Sequence, residues 1–252
     1  MSPGTSAFDA LSVVVPAYNE EARIAETLAR IAAYCREHVR AYELIVVDDG
    51  SSDQTAAAAA RTMDGDPNFV LLRHPRNLGK GAAVRTGALA ARHPFVLFSD
   101  ADLSTPIEEL ARLAEHASPR AVVVASRGLP ESRLEVRQPL YRETMGRIFN
   151  GIVRFLLVPG VSDTQCGFKL FGREAIQAVF PDLKTERFAF DVEVLARARR
   201  LGFQVVEVPV RWKNDSRSRV HPIRDSVRML RDVFRLWWRL RRSGSRGPAA
   251  GS

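Results

Sequence analysis

The chain predicts an α/β fold in which a mostly parallel sheet is flanked by helices. Three observations lead there. Short continuous apolar runs alternate with helical patterns, the mark of strands buried on both faces. Three of those runs end in acidic and hydroxyl clusters, and open α/β sheets bind ligands beyond the carboxyl ends of their strands. The 252 residues, 46% hydrophobic and 26% charged, suffice for a sizeable core and are too apolar for a disordered chain.

The elements follow in order. Residues 1–10 lack the basic and apolar regions of a signal peptide and are expected to be disordered. Residues 11–15 are a β-branched run closed by Pro16, and residues 21–37 repeat apolar positions at helical spacing. Residues 44–47 read as a second strand ending on Asp48 and Asp49, followed by an Ala-rich helix over 56–63. A third strand at 69–72, a helix at 81–91, a fourth strand at 95–98, a helix with an acidic first turn at 107–115 and a fifth strand at 121–125 complete the regular part. Repeated strand–helix units imply parallel pairing through right-handed crossovers. Beyond residue 127 the rhythm changes. Residues 129–139 are charged and proline-bounded, and read as a loop. An apolar helix at 145–158, a strand at 168–171, a helix at 191–201 and a strand at 204–210 follow. Pro222 opens a long helix reaching about residue 242, since proline suits the first helical turn. Residues 243–252 are rich in Gly, Ser, Pro and Ala and are expected to be a disordered tail. One domain over 11–220, followed by a helix over 221–242, is the expected organisation.

The net charge of +8 first suggests nucleic acid as a partner, but its distribution argues otherwise. Residues 1–210 hold 25 Lys and Arg against 26 Asp and Glu, whereas residues 211–252 hold 12 against 3. The basicity belongs to the C-terminal segment, and no nucleic-acid partner is expected. Cys35 and Cys166 are far apart and form no CxxC pair, so neither a disulfide framework nor a thiolate zinc site is implied. No stretch approaches the ~18 apolar residues of a membrane span.

The polar clusters lie after the first, second and fourth strands: Pro16 to Glu20, Asp48 to Asp53, and Ser99 to Asp102. Asp100 and Asp102, two apart in extended chain, share a face. Such a pair repels unless a cation intervenes, and Mg²⁺ or Mn²⁺ takes oxygen ligands and bridges to a diphosphate. The NLGKG segment at 77–81 places a glycine-flanked lysine before a helix, where anions are favoured. Cys166 reads as a small packing residue, and the five histidines show no metal-like spacing.

The runs LSVVVPAYNEE (11–21), VDDGSSD (47–53), NLGKG (77–81) and SDAD (99–102) together resemble the family 2 glycosyltransferases of GT-A fold, in their order and spacing. DADLSTP (100–106), DTQCGFKLF (163–171), RFAFDVE (187–193), EVPVRW (207–212) and DSVRMLRD (225–232) are similar to the branch that glycosylates dolichyl and polyprenyl phosphates. The resemblance implies that Pro16, Tyr18, Glu20, Asp48 and Asp49 hold the base and ribose of a nucleotide sugar, with Lys80 nearby. It implies Asp102 as direct metal ligand and Asp100 as a second ligand or a ribose contact, with Ser104 where relatives carry a metal-binding Gln. It further implies an inverting transfer of a hexose, glucose favoured, from a UDP-sugar in preference to a GDP-sugar. The acceptor is a polyprenyl phosphate or, as the alternative, a hydroxyl compound. Asp191 is the base candidate, Asp163 and Gln165 are further acceptor-site groups, and Arg127, Arg142, Lys169 and Arg219 are candidates for the acceptor phosphate.

On the C-terminal helix, Ile223, Val227, Leu230, Phe234 and Trp237 follow helical spacing, widened by Val233, Leu236, Trp238 and Leu240 and interleaved with arginines. A basic amphipathic helix with terminal tryptophans suits a membrane interface. The expected location is cytoplasmic and peripheral, on the inner face of the membrane, held by residues 222–242.

Overall fold

The computed structural model of the chain describes residues 8–136, 140–214 and 222–243, without the side chains of 140–143, 222–226 and 243. Its first half alternates β1 (Phe8–Ala17), α1 (Ile24–His38), β2 (Val39–Asp48), α2 (Thr55–Thr62), β3 (Phe69–Arg73), α3 (Lys80–Ala90) and β4 (Phe95–Ser99). A 3₁₀ turn at Ile107–Glu109 leads into α4 (Leu110–Ala114) and β5 (Ala121–Ser126). The second half runs β6 (Arg133–Val136), α5 (Leu140–Leu156), β7 (Phe168–Gly172), α6 (Arg173–Val179), α7 (Phe190–Arg200), β8 (Gln204–Pro209), β9 (Arg211–Lys213) and α8 (Pro222–Ser243).

Seven strands form one sheet in the order β3-β2-β1-β4-β7-β5-β8. All pair in parallel except β7, which runs antiparallel between β4 and β5. The strand order reverses between β1 and β4, and the crevice beyond their carboxyl ends is where this architecture takes ligands. The strands alternate their side chains between two cores. Val14, Ile45, Phe98, Val124 and Phe171 face α3, α5, α6, α7 and α8. Val13, Val15, Leu44, Leu97, Phe168 and Leu170 face α1 and α4. This burial of both faces is why the strands read as unbroken apolar runs.

Several expectations are corrected. The first strand begins at Phe8, not residue 11, because Phe8 pairs with Val39 and its ring packs on Phe95 at 5.2 Å. Residues 129–139 are not all loop: β6 pairs in parallel with β9, two short and mostly exposed strands. α6 adds a helix, and α5 starts at Leu140 instead of residue 145. α8 includes Ser243, and the tail beyond it, like residues 1–7, lies outside the described residues.

The docked stripe of α8 is Val233, Leu236 and Leu240, which join the core. Val227, Phe234 and Trp238, on another face, are 64%, 51% and 54% exposed. α5 adds exposed Ile148 and Phe155, the latter 88% exposed. α8 is therefore apolar on two faces, and arginines are not all that cover its outer side. No helix among the described residues is long and apolar enough to cross a membrane.

Candidate functional site

The exits of β1 and β2 are laced together. Asn19 adopts a positive φ of 55° and its amide donates to Ser51 Oγ at 2.9 Å, while Ser52 N donates to Asn19 Oδ1 at 2.8 Å. Pro16 is buried at the end of β1, Tyr18 is exposed at the mouth, and Glu20 pairs with Arg23 at 2.7 Å. Asp48 is buried and accepts from Ser51 N and from Arg73 Nε, both at 3.1 Å. Asp49, expected at the base or ribose, has both carboxylate oxygens engaged within the fold. Its Oδ1 accepts from Leu78 N at 2.9 Å and lies 2.7 Å from His74 Nδ1, and its Oδ2 accepts from Gly79 N at 2.8 Å. With both oxygens engaged, Asp49 shapes the 77–81 turn.

That turn is pressed against the segment ahead of α7. Gly79 has φ of 112°, and a Cβ there would stand 2.5 Å from Glu186 O. Ala82 N donates to the same carbonyl at 3.0 Å. Lys80 therefore starts α3 with its chain aimed across the crevice, and Nζ lies 2.7 Å from Asp100 Oδ1. Burial alone would lower the Lys80 pKa, but Asp100 and then Asp191 hold it above the usual lysine range.

Asp100 and Asp102 follow β4. Leu103, with a positive φ of 45°, turns the chain so that Ser104 N donates to Asp102 Oδ1 at 2.9 Å. Burial first, and the charge of Asp100 second, push the Asp102 carboxyl above its ordinary range. Among the described residues no group of three or more His, Cys, Asp and Glu could hold a metal. A pair of mutually repelling carboxylates with hard oxygen donors fits a divalent cation whose other ligands are water and a bound diphosphate. Asp100 also leans on Gly167: a Cβ at 167 would stand 1.9 Å from Asp100 Oδ2, and Asp100 N donates to Gly167 O at 2.9 Å.

Antiparallel β7 and its approach supply the other side. Asp163, buried, receives a bidentate pair from Arg127, Nε to Oδ2 at 2.6 Å and Nη2 to Oδ1 at 2.9 Å. Burial would raise the Asp163 pKa, but the Arg127 charge and hydrogen bonds bring it down to about 2. Asp163 is therefore a fixed anion and not a proton acceptor near neutrality, and its carboxylate holds Arg127 in place at this side of the crevice. Arg127 is itself fixed, over the Trp212 ring at 5.3 Å. Glu207 accepts from Ser162 N at 2.7 Å and Asp163 N at 2.9 Å, anchoring this loop to β8. Gln165 is half-buried, and its Nε2 finds no hydrogen-bond partner among the described residues.

Lys169 is not at a phosphate-accessible surface. It is 1% exposed, donates to Cys166 O at 2.6 Å and pairs with Asp191 Oδ1. Asp191 opens α7, is 3% exposed, and has its carboxyl raised by burial against the opposing pull of Lys169 and Lys80. Cys166 is buried against Thr105, and burial pushes its thiol up to about 11, which suits packing and not nucleophilic chemistry. Arg219 and the Arg142 side chain lie outside the described residues.

Four contributors escaped the sequence reading. Gly167 cradles Asp100, and His74 bridges Asp49 and Thr86. Glu207 anchors Asp163, and fully buried Glu193 accepts from Thr185 N at 2.7 Å and Arg197 Nε at 3.0 Å, with Arg239 of α8 3.7 Å away. Gly167, Glu193 and Glu207 fall inside segments that carry the family resemblance but were given no role there, and His74 falls outside all of them.

Known proteins agree with this architecture. The family model described as Glycosyl transferase family 2 matches residues 12–180. The dolichyl-phosphate beta-glucosyltransferase of Dictyostelium discoideum is 36% identical over 242 residues, covering 91% of this chain and 74% of that protein. The human protein of that name is 35% identical over 89% of this chain and 74% of its own. Glycosyltransferase AglD of Haloferax volcanii is 35% identical over 94% of this chain but 38% of its own length. Glucosyl-3-phosphoglycerate synthase from Mycobacterium tuberculosis, crystallised with UDP, superposes with a TM-score of 0.66 at 22% identity, covering 96% of this chain and 82% of that one. The same enzyme with Mn²⁺ and UDP-glucose also gives 0.66 at 22% identity, over 96% and 81%. Sheet order, the acidic cluster at the β1/β4 switch and these likenesses converge: the chain is a glycosyltransferase of GT-A fold and belongs to glycosyl transferase family 2.

Proposed function

We propose that this glycosyltransferase moves a hexose, glucose, from UDP-glucose to a dolichyl- or polyprenyl-phosphate lipid, by a single in-line displacement that inverts the anomeric centre. The observation that supports it best is the meeting of two charge sets across one crevice. Asp100 and Asp102 stand on the donor side, Asp191 with Lys169 and Arg127 with Asp163 on the other, and Lys80 lies between. The relatives named for dolichyl phosphate match about nine-tenths of the chain, which favours the lipid acceptor.

In this reading Pro16, Tyr18, Glu20 and Asp48 line the nucleoside pocket, and Asp49 shapes the turn beside it. Asp102 and Asp100 would hold Mg²⁺ or Mn²⁺. When bound, that ion offsets the negative charge that develops on the departing diphosphate. Lys80 neutralises Asp100 and lies close enough to steady the same charge. Asp191 takes the remaining proton of a singly ionised lipid phosphate, or the hydroxyl proton of an alternative acceptor, as that oxygen attacks, while nearby cations position it. Arg127, Arg142 and Arg219 are assigned to the acceptor phosphate, and Gln165, whose Nε2 has no hydrogen-bond partner among the described residues, to a polar contact with the acceptor. The exposed apolar residues Val227, Phe234 and Trp238 of α8 and Phe155 of α5, among arginines, support seating on an anionic membrane surface.

The deciding experiment incubates the chain with a panel of nucleotide sugars, Mg²⁺ or Mn²⁺, and polyprenyl phosphate in anionic vesicles, with products read by mass. UDP release with a hexosyl polyprenyl phosphate is the expected outcome. Transfer to soluble hydroxyl compounds alone would overturn the lipid acceptor.

A further inference from the structure

A lysine ammonium buried to 1% exposure is costly unless it is paired and hydrogen-bonded, so the surroundings of Lys169 call for a reason. It lies in the one antiparallel strand of the main sheet, opposite Phe98 on β4 and Val124 on β5. Its neighbours Phe168 and Leu170 enter one core, while Lys169 and Phe171 point to the other side. Lys169 Nζ meets Cys166 O at 2.6 Å and Asp191 Oδ1, and hangs 5.8 Å from the Phe98 ring centroid. Lys80 Nζ lies 5.4 Å from the same ring, but it is about a quarter exposed and is paired with Asp100. The two lysines thus divide the work: Lys80 serves the donor side and Lys169 is sealed beneath Asp191. Only Oδ1 of Asp191 is engaged, so Oδ2 is left without a protein hydrogen bond among the described residues.

We infer that Lys169 is a positioning residue: it fixes the Asp191 carboxylate by one oxygen and presents the other, ionised, to the acceptor. This rests on the reading of Asp191 as the acceptor-side base. In the step it supports, the acceptor O–H proton passes to Asp191 Oδ2. The acceptor oxygen bonds the anomeric carbon, and the bond to the diphosphate breaks with its electron pair leaving on the nucleoside diphosphate. Lys169 itself touches neither substrate.

The test is a double-mutant cycle on the full chain with UDP-glucose, Mn²⁺ and polyprenyl phosphate in vesicles, comparing Lys169→Met, Asp191→Asn and the double variant. Lys169→Met should lower kcat on the order of 10²-fold, leave KM for UDP-glucose within twofold, and cause no further loss in the Asp191→Asn background. A melting curve for each variant checks folding. If Lys169→Met does not fold, Lys169→Gln, which keeps an N–H donor, is measured in its place and should show a smaller loss of the same kind. With Asp191→Asn slow, a silent Lys169 variant, an additive loss in the double variant, or a raised KM at unchanged kcat would each overturn the positioning role alone. Asp191→Asn at the parental rate would overturn the base reading itself.

Discussion

Replacing Gly167 by alanine tests the donor side through a residue with no chemistry of its own. The added methyl would stand 1.9 Å from Asp100 Oδ2 and 2.2 Å from its Cγ, where real contacts stay beyond 3.0 Å. The carboxylate must therefore retreat by about 1 Å. The backbone cannot easily yield instead, because Asp100 N is tied to Gly167 O at 2.9 Å and β7 is paired on both edges. Retreat breaks the 2.7 Å contact with Lys80 and moves the Asp100–Asp102 pair out of register. A displacement of this size at a reacting centre costs on the order of 10²-fold, or about 2.7 kcal/mol of transition-state stabilisation. Because the adjustment is one side-chain rotation, the fold should survive with its melting temperature little changed. Steady-state kcat/KM for the nucleotide sugar, alongside calorimetric UDP binding with Mn²⁺, measures the effect. Gly151→Ala, on an exposed turn of α5 with nothing within 4 Å, is the control and should be silent. A Gly167→Ala enzyme within threefold of the parent would refute the claim that the glycine exists to admit Asp100.

Three further outcomes are expected. Asp102→Ala should abolish transfer with either Mg²⁺ or Mn²⁺ while the circular dichroism spectrum stays unchanged; full activity would remove the metal role. Asp163 titrates at about 2 in the fold against an ordinary 3.8, so it stabilises the folded chain above its unfolded value and loses that contribution as pH falls toward 2. In urea unfolding, the parent should lose about 2 kcal/mol more than Asp163→Asn between about pH 5 and pH 2, and parallel curves would contradict the pairing. Phe155→Ser with Trp238→Ser should weaken sedimentation with anionic vesicles at least tenfold, since burying each ring is worth about 1.5–3 kcal/mol. Unchanged binding would show that the outer face of α8 meets no bilayer.

The sheet was legible because both its faces are covered, so β1 to β5 appear as apolar runs whatever they pack against. β6 and β9 were not, because short, charged, mostly exposed strands have no pattern to distinguish them from loop. The direction of β7 is equally silent, since period-2 alternation is the same read either way. The donor side was readable for a related reason: its acids cluster in sequence at strand ends. The acceptor side was not, because its meaning lies in pairs distant along the chain, Arg127 with Asp163 and Lys169 with Asp191. Lys169 and Arg127, which read as candidates for the acceptor phosphate, each also pair in the fold with a buried carboxylate far along the chain. Asp49 is a similar case, an acid in the right cluster whose oxygens hold backbone amides.

The reversed strand has a consequence for how this enzyme can change. Its pairing of Phe98 with Lys169 and Phe168 with Ser99 decides which side chains look toward the crevice and which toward grease. A shift by a single position would send the ammonium among Leu97, Val123 and their neighbours, and hand Asp191 a hydrocarbon partner. Length variation should therefore not be tolerated within β7, at its junction with α6, which begins at the next residue, or in the 163–167 approach that holds Arg127, Lys169 and Asp100. Misthreading this strand would leave a chain that is both unstable and inert, so surviving variants inherit the centre intact whenever they inherit the fold.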